Sequence, residues 1–227
     1  MIDPDDVARR AERVRQRIAD AGGDPSRIGI VAVTKGFDAS ALEAAASAGM
    51  MMIGESYAQE LRAKWDQLNP EVQDRLEVHF IGRLQSNKVR QLAGLVDLWQ
   101  SVDRARLVNE ISRHRPGAEV FVQLDLSGAS TQGGCGLDNA PSLVTQARDA
   151  GLDVRGCMAI GPQGSPADIE AAFTEVSRFA DRHDLEHRCI GMSADLEQAV
   201  RAGSTVVRIG AALFGERPAR ITASGGD

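Results

Sequence analysis

The chain has 227 residues, 43% of them hydrophobic and 26% charged, with 26 Lys and Arg against 32 Asp and Glu for a net charge of −6. That length suits one large α/β domain or two small ones with a sizeable core, and the acidic balance argues against a nucleic-acid partner. No apolar run approaches a membrane span, and the acidic start Met1-Ile2-Asp3-Pro4-Asp5-Asp6 lacks the layout of a signal peptide, so a cytoplasmic location with no membrane partner is expected.

Residues 5–20 read as a helix, because Val7, Ala11, Val14 and Ile18 recur at helical spacing after the start signal Asp3-Pro4. Its other faces carry Arg9, Arg10, Arg13, Arg15 and Arg17, which read as a solvated face rather than a basic groove. The chain then alternates. A strand at 28–34 is followed by a helix at 39–48, a strand at 50–54 by a helix at 56–68 that Asn69-Pro70 closes, and a strand at 76–82 by a short helix at 85–92. A strand at 95–102 leads through Asp103, a good cap, into a helix ending near 114. A strand at 119–126, a Gly- and Ser-rich loop at 127–136 and a helix at 141–150 come next. The remaining strands fall at 154–160, 188–193 and 205–209. Each precedes a helix, at 167–183, 195–202 and 211–214, and the tail from Arg217 is polar and expected to fray.

Strict alternation implies a parallel sheet. Eight β/α units without a composition break predict a single closed (β/α)8 TIM barrel over 1–227. An additional N-terminal helix within 1–24 packs on it, and 217–227 form a flexible tail. An open doubly wound sheet is the alternative. No Gly-x-Gly-x-x-Gly follows the first strand and no Walker loop is present, so dinucleotide and nucleoside triphosphate binding lack their usual support. Cys135, Cys157 and Cys189 are odd in number and widely spaced, which opposes a disulfide framework. The four histidines do not combine with them at zinc spacing, and no metal is predicted. His183 and His187, four apart at a predicted helix end, read as an exposed pair rather than two ligands.

In a barrel the carboxyl ends of all strands share one face. That brings together Lys35 after the first strand, Gly54-Glu55-Ser56-Tyr57 after the second, Gly191-Met192-Ser193 at the seventh and Arg208-Ile209-Gly210-Ala211 at the eighth. Lys35 taken alone reads as a charged residue snorkelling from a strand end. The loops after the last two strands change that reading, because backbone N–H groups there and the Ser193 hydroxyl can hold phosphate, and Gly210 permits close approach. An amine and a phosphate cradle on one rim suit a cofactor bearing an aldehyde and a phosphate, which is pyridoxal 5'-phosphate (PLP). Alternation puts Val206 and Arg208 on one face of the last strand. Arg208 therefore needs a partner: a carboxylate such as Asp195 or Glu197, or the pyridine nitrogen of the cofactor. An arginine can only donate, so it would keep that nitrogen unprotonated and leave the ring a weak electron sink.

Six ordered segments carry a resemblance: Val31-Ala32-Val33-Thr34-Lys35, Gly54-Glu55-Ser56-Tyr57-Ala58-Gln59-Glu60, His79-Phe80-Ile81-Gly82-Arg83-Leu84-Gln85-Ser86-Asn87-Lys88, Gly156-Cys157-Met158-Ala159-Ile160, Gly191-Met192-Ser193-Ala194-Asp195 and Gly203-Ser204-Thr205-Val206-Val207-Arg208-Ile209-Gly210. Together they resemble the pyridoxal-phosphate homeostasis proteins, the YggS/PROSC family, which are similar to the barrel domain of alanine racemase without its second domain. The resemblance implies a Schiff-base lysine at Lys35, phosphate contacts from Ser193 and the Gly210-Ala211 backbone, a pyridine contact from Arg208, and further cofactor contacts at Ser56 and Met192. Gly36-Phe37 departs from the stretch usual after the lysine. Ser56 stands where asparagine is usual, and Ala211 where a hydroxyl residue is common.

A racemase of this kind needs a second base, a tyrosine from the domain missing here, and the chain's one tyrosine is Tyr57. The expected function is therefore a carrier that holds PLP and releases it to apo PLP-dependent enzymes, supporting vitamin B6 and amino-acid balance, as a monomer or weak dimer without efficient turnover. The alternatives are a small PLP enzyme with weak racemase-type activity, and a barrel with a structural Lys35 that binds another phosphorylated metabolite.

Overall fold

The computed structural model describes residues 2–126 and 133–217. Its elements run α1 (Pro4–Asp20), β1 (Gly29–Val33), α2 (Ser40–Ser47), β2 (Met52–Glu55), α3 (Ala58–Trp65), α4 (Pro70–Gln73) and β3 (Glu77–Phe80). A 3-10 turn (Ser86–Lys88) leads into α5 (Val89–Leu92), β4 (Leu98–Val102), α6 (Ala105–His114), β5 (Glu119–Asp125), the two-residue β6 (Cys135–Gly136) and α7 (Ala140–Asp149). Then come β7 (Asp153–Ala159), α8 (Pro166–Arg182), β8 (His187–Cys189), α9 (Leu196–Arg201), β9 (Val206–Ile209) and α10 (Ala211–Phe214).

All described strand pairs are parallel. The order β4-β3-β2-β1-β9-β8-β7-β5 is closed by pairing of β4 with β5, and β6 hangs on β5 outside the ring. The predicted eight-stranded barrel is thus the observed fold, and the open sheet is ruled out. Alternation along each strand sorts two cores. Ile30, Ala32, Ile53, Val207 and Ile209 pack outward under the helices. Val31, Leu98, Phe121, Met158, Cys189 and Val206 fill the barrel. Register places Val31 beside Arg208. Helix α1 buries its predicted stripe, Val7, Ala11, Val14 and Ile18, against α2, α9 and α10. It starts where Asp3 accepts the Asp5 N–H at 3.0 Å and Pro4 takes the first turn.

Several local expectations give way. Asn69-Pro70 does not only end a helix. Asn69 accepts the Glu71 N–H at 2.9 Å and Pro70 opens the extra turn α4. The strand predicted at 188–193 stops at Cys189. Gly191 has φ +96°, and the Met192 N–H donates to the Asp195 carboxylate at 2.6 Å instead of to a ladder. Asp103 is not a cap; Arg104 precedes α6, and its guanidinium pairs with Asp103. His183 caps α8 and packs at a tilt against Phe179, while His187 opens β8 and packs at a tilt against Phe121, so the two share no helical face. Of the predicted loop and tail, residues 127–132 and 218–227 lie outside the described residues.

Candidate functional site

Strand β1 turns Val31 and Val33 inward, and Lys35, two residues on, keeps that parity just past its carboxyl end. Lys35 lines a cavity of about 250 Å³ with Met192, Ser193, Arg208, Gly210 and Ala211, walled by Met158 and Ile160. The structure therefore brings together every predicted site residue except Ser56. Ser56 and Tyr57 line a neighbouring, wider cleft of about 1050 Å³, toward Phe80, Leu84 and Arg104. The Ser56 hydroxyl is buried there without a hydrogen-bond partner among the described residues.

The backbone around Lys35 is clamped by a buried charge cluster that sequence reasoning missed. Lys64 Nζ, from α3, lies 2.7 Å from Glu55 Oε1 and 2.7 Å from Glu60 Oε1, and donates to the Thr34 carbonyl at 2.8 Å. The Thr34 hydroxyl donates to Glu55 Oε1 at 2.7 Å, and the Gly36 N–H donates to the Glu60 carboxylate. Residues on both sides of Lys35 are thus tied to one ion cluster. Gly36 turns the chain here with φ +81°, which explains a glycine directly after the lysine. Phe37 then packs on Phe214 of α10, with ring centroids 5.5 Å apart, and joins the lysine loop to the far side of the cavity. Burial pushes the Glu55 carboxyl above the ordinary range, against the pull of Lys64. A signal for the cluster existed: Leu61 and Lys64 are three apart on α3 and share its buried face.

The Lys35 amine is held below the ordinary lysine range, first by burial and then by the charges of Arg217 and Arg208, with Glu55 and Glu60 opposing. Arg217, placed by the sequence at the start of the tail, lines the cavity. A lowered pKa leaves more neutral, nucleophilic amine at a given pH. Attachment of an aldehyde at Lys35 is expected to speed up as pH rises through a midpoint below that of free lysine. Arg217→Ala removes a repelling cation, so the midpoint should move up and attachment at neutral pH should slow. Stopped-flow absorbance across pH checks this, and a midpoint that stays put or falls contradicts it.

Arg208 is buried, yet it pairs with neither Asp195 nor Glu197. Its Nη1 donates to the Cys189 carbonyl at 2.6 Å and reaches Cys189 Sγ at 3.1 Å, and Nη2 donates to the Ala159 carbonyl at 2.9 Å. These contacts engage three of its five N–H donors, and the other two have no hydrogen-bond partner among the described residues. Asp195 is occupied with the Met192 N–H, and Glu197 with Arg17 at 2.7 and 3.0 Å. Arg17 also donates to the Ser193 carbonyl at 3.1 Å. One arginine of α1 therefore positions the Ser193 loop, which the reading of a solvated face overlooked. The Ser193 hydroxyl in turn lies 3.4 Å from the Ala212 N–H, at the start of α10.

The chain matches the family model described as alanine racemase, N-terminal domain, over residues 2–218. A pyridoxal phosphate homeostasis protein of Pseudomonas aeruginosa is 37% identical over 221 residues, spanning 94% of this chain and 95% of the relative. Among solved structures, a protein described as unknown from Bifidobacterium adolescentis superposes with a TM-score of 0.85 at 29% identity, covering 93% of this chain and 95% of that one. PipY of Synechococcus elongatus, solved with PLP bound, superposes with a TM-score of 0.76 at 29% identity, covering 89% of this chain and 100% of that one. Closed barrel, ordered segments and near full-length matches agree: the chain belongs to the alanine racemase N-terminal domain family and, within it, to the pyridoxal phosphate homeostasis proteins.

Proposed function

We propose that the chain binds PLP as a Schiff base on Lys35 and serves PLP homeostasis as a carrier rather than a catalyst. The observation that supports this most is the sharing of one small cavity by an amine of lowered pKa and an anchored arginine with donors to spare. The donor set fits the cofactor. Lys35 suits the aldehyde, the Ser193 hydroxyl and the first backbone N–H groups of α10 suit the phosphate, and Arg208 suits the pyridine nitrogen. Met158 and Ile160 offer apolar walls for the ring. Met192 lines the same cavity, whereas Ser56 faces the adjoining cleft and is left out of this binding set.

Bound PLP supplies an aldehyde reactive toward amines and a ring able to withdraw electrons. The chain's own residues restrain that chemistry. The Lys35 amine would hold the aldehyde as an imine, with loss of one water, and so mask it. Arg208, always protonated, would donate to the ring nitrogen and keep a proton off it. Tyr57, the chain's one tyrosine, lies on the wider cleft and not in the Lys35 cavity. This weighs against a two-base racemase. Recipients in this reading are apo PLP-dependent enzymes, and the amino-acid balance and cytoplasmic setting expected from the sequence belong to the same proposal. Among the described residues, no helix is long and apolar enough to cross a membrane.

Two measurements test the proposal. Purified protein with PLP should develop a visible Schiff-base band, and incubation with amino acids in D2O should give α-deuterium exchange far below ordinary enzyme turnover of about 1 per second or more. Turnover at that rate would favour the weak-racemase alternative, and no band would favour a structural lysine. Ser193→Ala should weaken PLP binding roughly tenfold, as expected for one hydrogen bond to a charged group, read as the dissociation constant by fluorescence titration.

A further inference from the structure

The inside of a small parallel barrel is ordinarily filled by layers of bulky apolar side chains. Here Val31, Leu98, Phe121, Met158 and Val206 do that. A polar column nevertheless runs through them. Glu77, half exposed, lines a cavity of about 700 Å³ at the amino end of the barrel, and its Oε1 lies 2.8 Å from His79 Nε2. His79 Nδ1 lies 2.7 Å from Gln100 Nε2, Gln100 Oε1 lies 3.1 Å from Cys189 Sγ, and Cys189 Sγ lies 3.1 Å from Arg208 Nη1. His79, Gln100, Cys189 and Arg208 are all at most 5% exposed. The column joins one mouth of the barrel to the Lys35 cavity at the other.

The donors settle into one direction. Gln100 Nε2 can only donate, so His79 Nδ1 accepts, and His79 Nε2–H donates to Glu77. Gln100 Oε1 can only accept, so the Cys189 S–H donates to it, which leaves the sulfur lone pairs facing the Arg208 N–H. Burial foremost holds the Cys189 thiol above its ordinary range, which keeps that proton on sulfur. A buried polar chain costs more than an apolar filling of the same shape unless every member is satisfied, and once satisfied it fixes a single arrangement.

We infer that Gln100 and Cys189 are positioning residues for Arg208: the His79-Gln100-Cys189 column aims the guanidinium that faces the cofactor ring nitrogen and thereby keeps that nitrogen unprotonated. The inference rests on the PLP reading above. Cys189 grips Arg208 through both its carbonyl and its sulfur. Removing the thiol, or its Gln100 acceptor, frees the guanidinium to rotate about the two carbonyl contacts that remain. The consequence is expected first at the ring nitrogen, which the guanidinium faces.

The test loads wild type, Gln100→Leu, Cys189→Ala and Cys189→Ser with PLP labelled with 15N in the ring and records the nitrogen chemical shift, the visible band and the dissociation constant. Wild type is expected to show an unprotonated, hydrogen-bonded nitrogen. Gln100→Leu and Cys189→Ala should keep the visible band, move the nitrogen signal toward the protonated form and weaken PLP binding roughly tenfold, and Cys189→Ser, whose hydroxyl can both accept and donate, should restore the wild-type signal. Cys189→Ala alone decides the matter if Gln100→Leu does not fold. A wild-type nitrogen signal in the alanine variant with PLP bound would overturn the column alone. A wild type that forms no band would overturn the PLP reading and this inference with it.

Discussion

Lys35→Ala is expected to abolish the visible Schiff-base band and to weaken PLP binding at least a hundredfold, about 2.7 kcal/mol or more. The variant keeps the other donors of the cavity, Ser193, Arg208 and the first turn of α10, so residual binding through phosphate and ring should persist in the millimolar to micromolar range. The fold should not suffer. Lys35 is half-buried, and the ion cluster behind it holds its neighbours Thr34 and Gly36, not its own side chain. A melting temperature unchanged from wild type, with the band gone, is the expected combination. A band of wild-type strength in Lys35→Ala would place the covalent bond elsewhere.

The largest effect on stability is expected at Lys64, a residue that does not line the Lys35 cavity. Its side chain is 4% exposed and that of Glu55 is fully buried, so Lys64→Met leaves the Glu55 carboxylate without its cation in a dry site. Breaking one partner of such a pair costs about 3–5 kcal/mol. In a domain of this size, that corresponds to a fall in melting temperature of roughly 6–20 °C. The double variant Glu55→Leu with Lys64→Met removes the fully buried carboxylate and leaves the partly exposed Glu60 without its cation, so it should recover part of the loss. The Lys35 loop should tell the two variants apart from wild type. Both lose the Lys64 contact to the Thr34 carbonyl, so both should bind PLP more weakly even where stability is regained. Thermal melts and PLP titration of the three proteins check this, and a single variant as stable as wild type would contradict it.

Much of this arrangement is legible in the chain itself, for identifiable reasons. Strict β/α alternation with parallel strands is a strong periodic pattern, and it alone places strand ends on one rim. The parity of Val33 and Lys35 along and just past β1, and of Val206 and Arg208 on β9, follows from the two-residue repeat of a strand, so the inward pointing of both cations is readable. What is not readable is which side of the rim a loop faces. Ser56 stands one residue past β2, next to β1 in the sheet, yet it opens toward Phe80 and Arg104, whereas the Lys35 cavity opens toward Met158 and Met192. The partners of Arg208 are hidden for another reason. Besides the Cys189 sulfur they are backbone carbonyls at the ends of β7 and β8, 49 and 19 residues away, and carbonyls have no sequence signature. The strand expected to run to Ser193 ends at Cys189 because Gly191 and the side chain of Asp195 divert the backbone from the ladder. Arg17 and Lys64 are long cationic residues on helices, and their exposure cannot be told from type. Only the packing of α1 over the Ser193 loop, and of α3 over β2, turns them inward.

The central claim is that Lys35 carries the cofactor, and the chain offers a sharp test because it has just three lysines, Lys35, Lys64 and Lys88. Borohydride reduction of the protein incubated with equimolar PLP, followed by proteolysis and mass spectrometry, reads the attachment site directly. One phosphopyridoxyl group per chain is expected, on the peptide containing Lys35, with Lys64 unlabelled because its amine is locked between two carboxylates. Label found chiefly on Lys64 or Lys88, or spread evenly over all three, would contradict it.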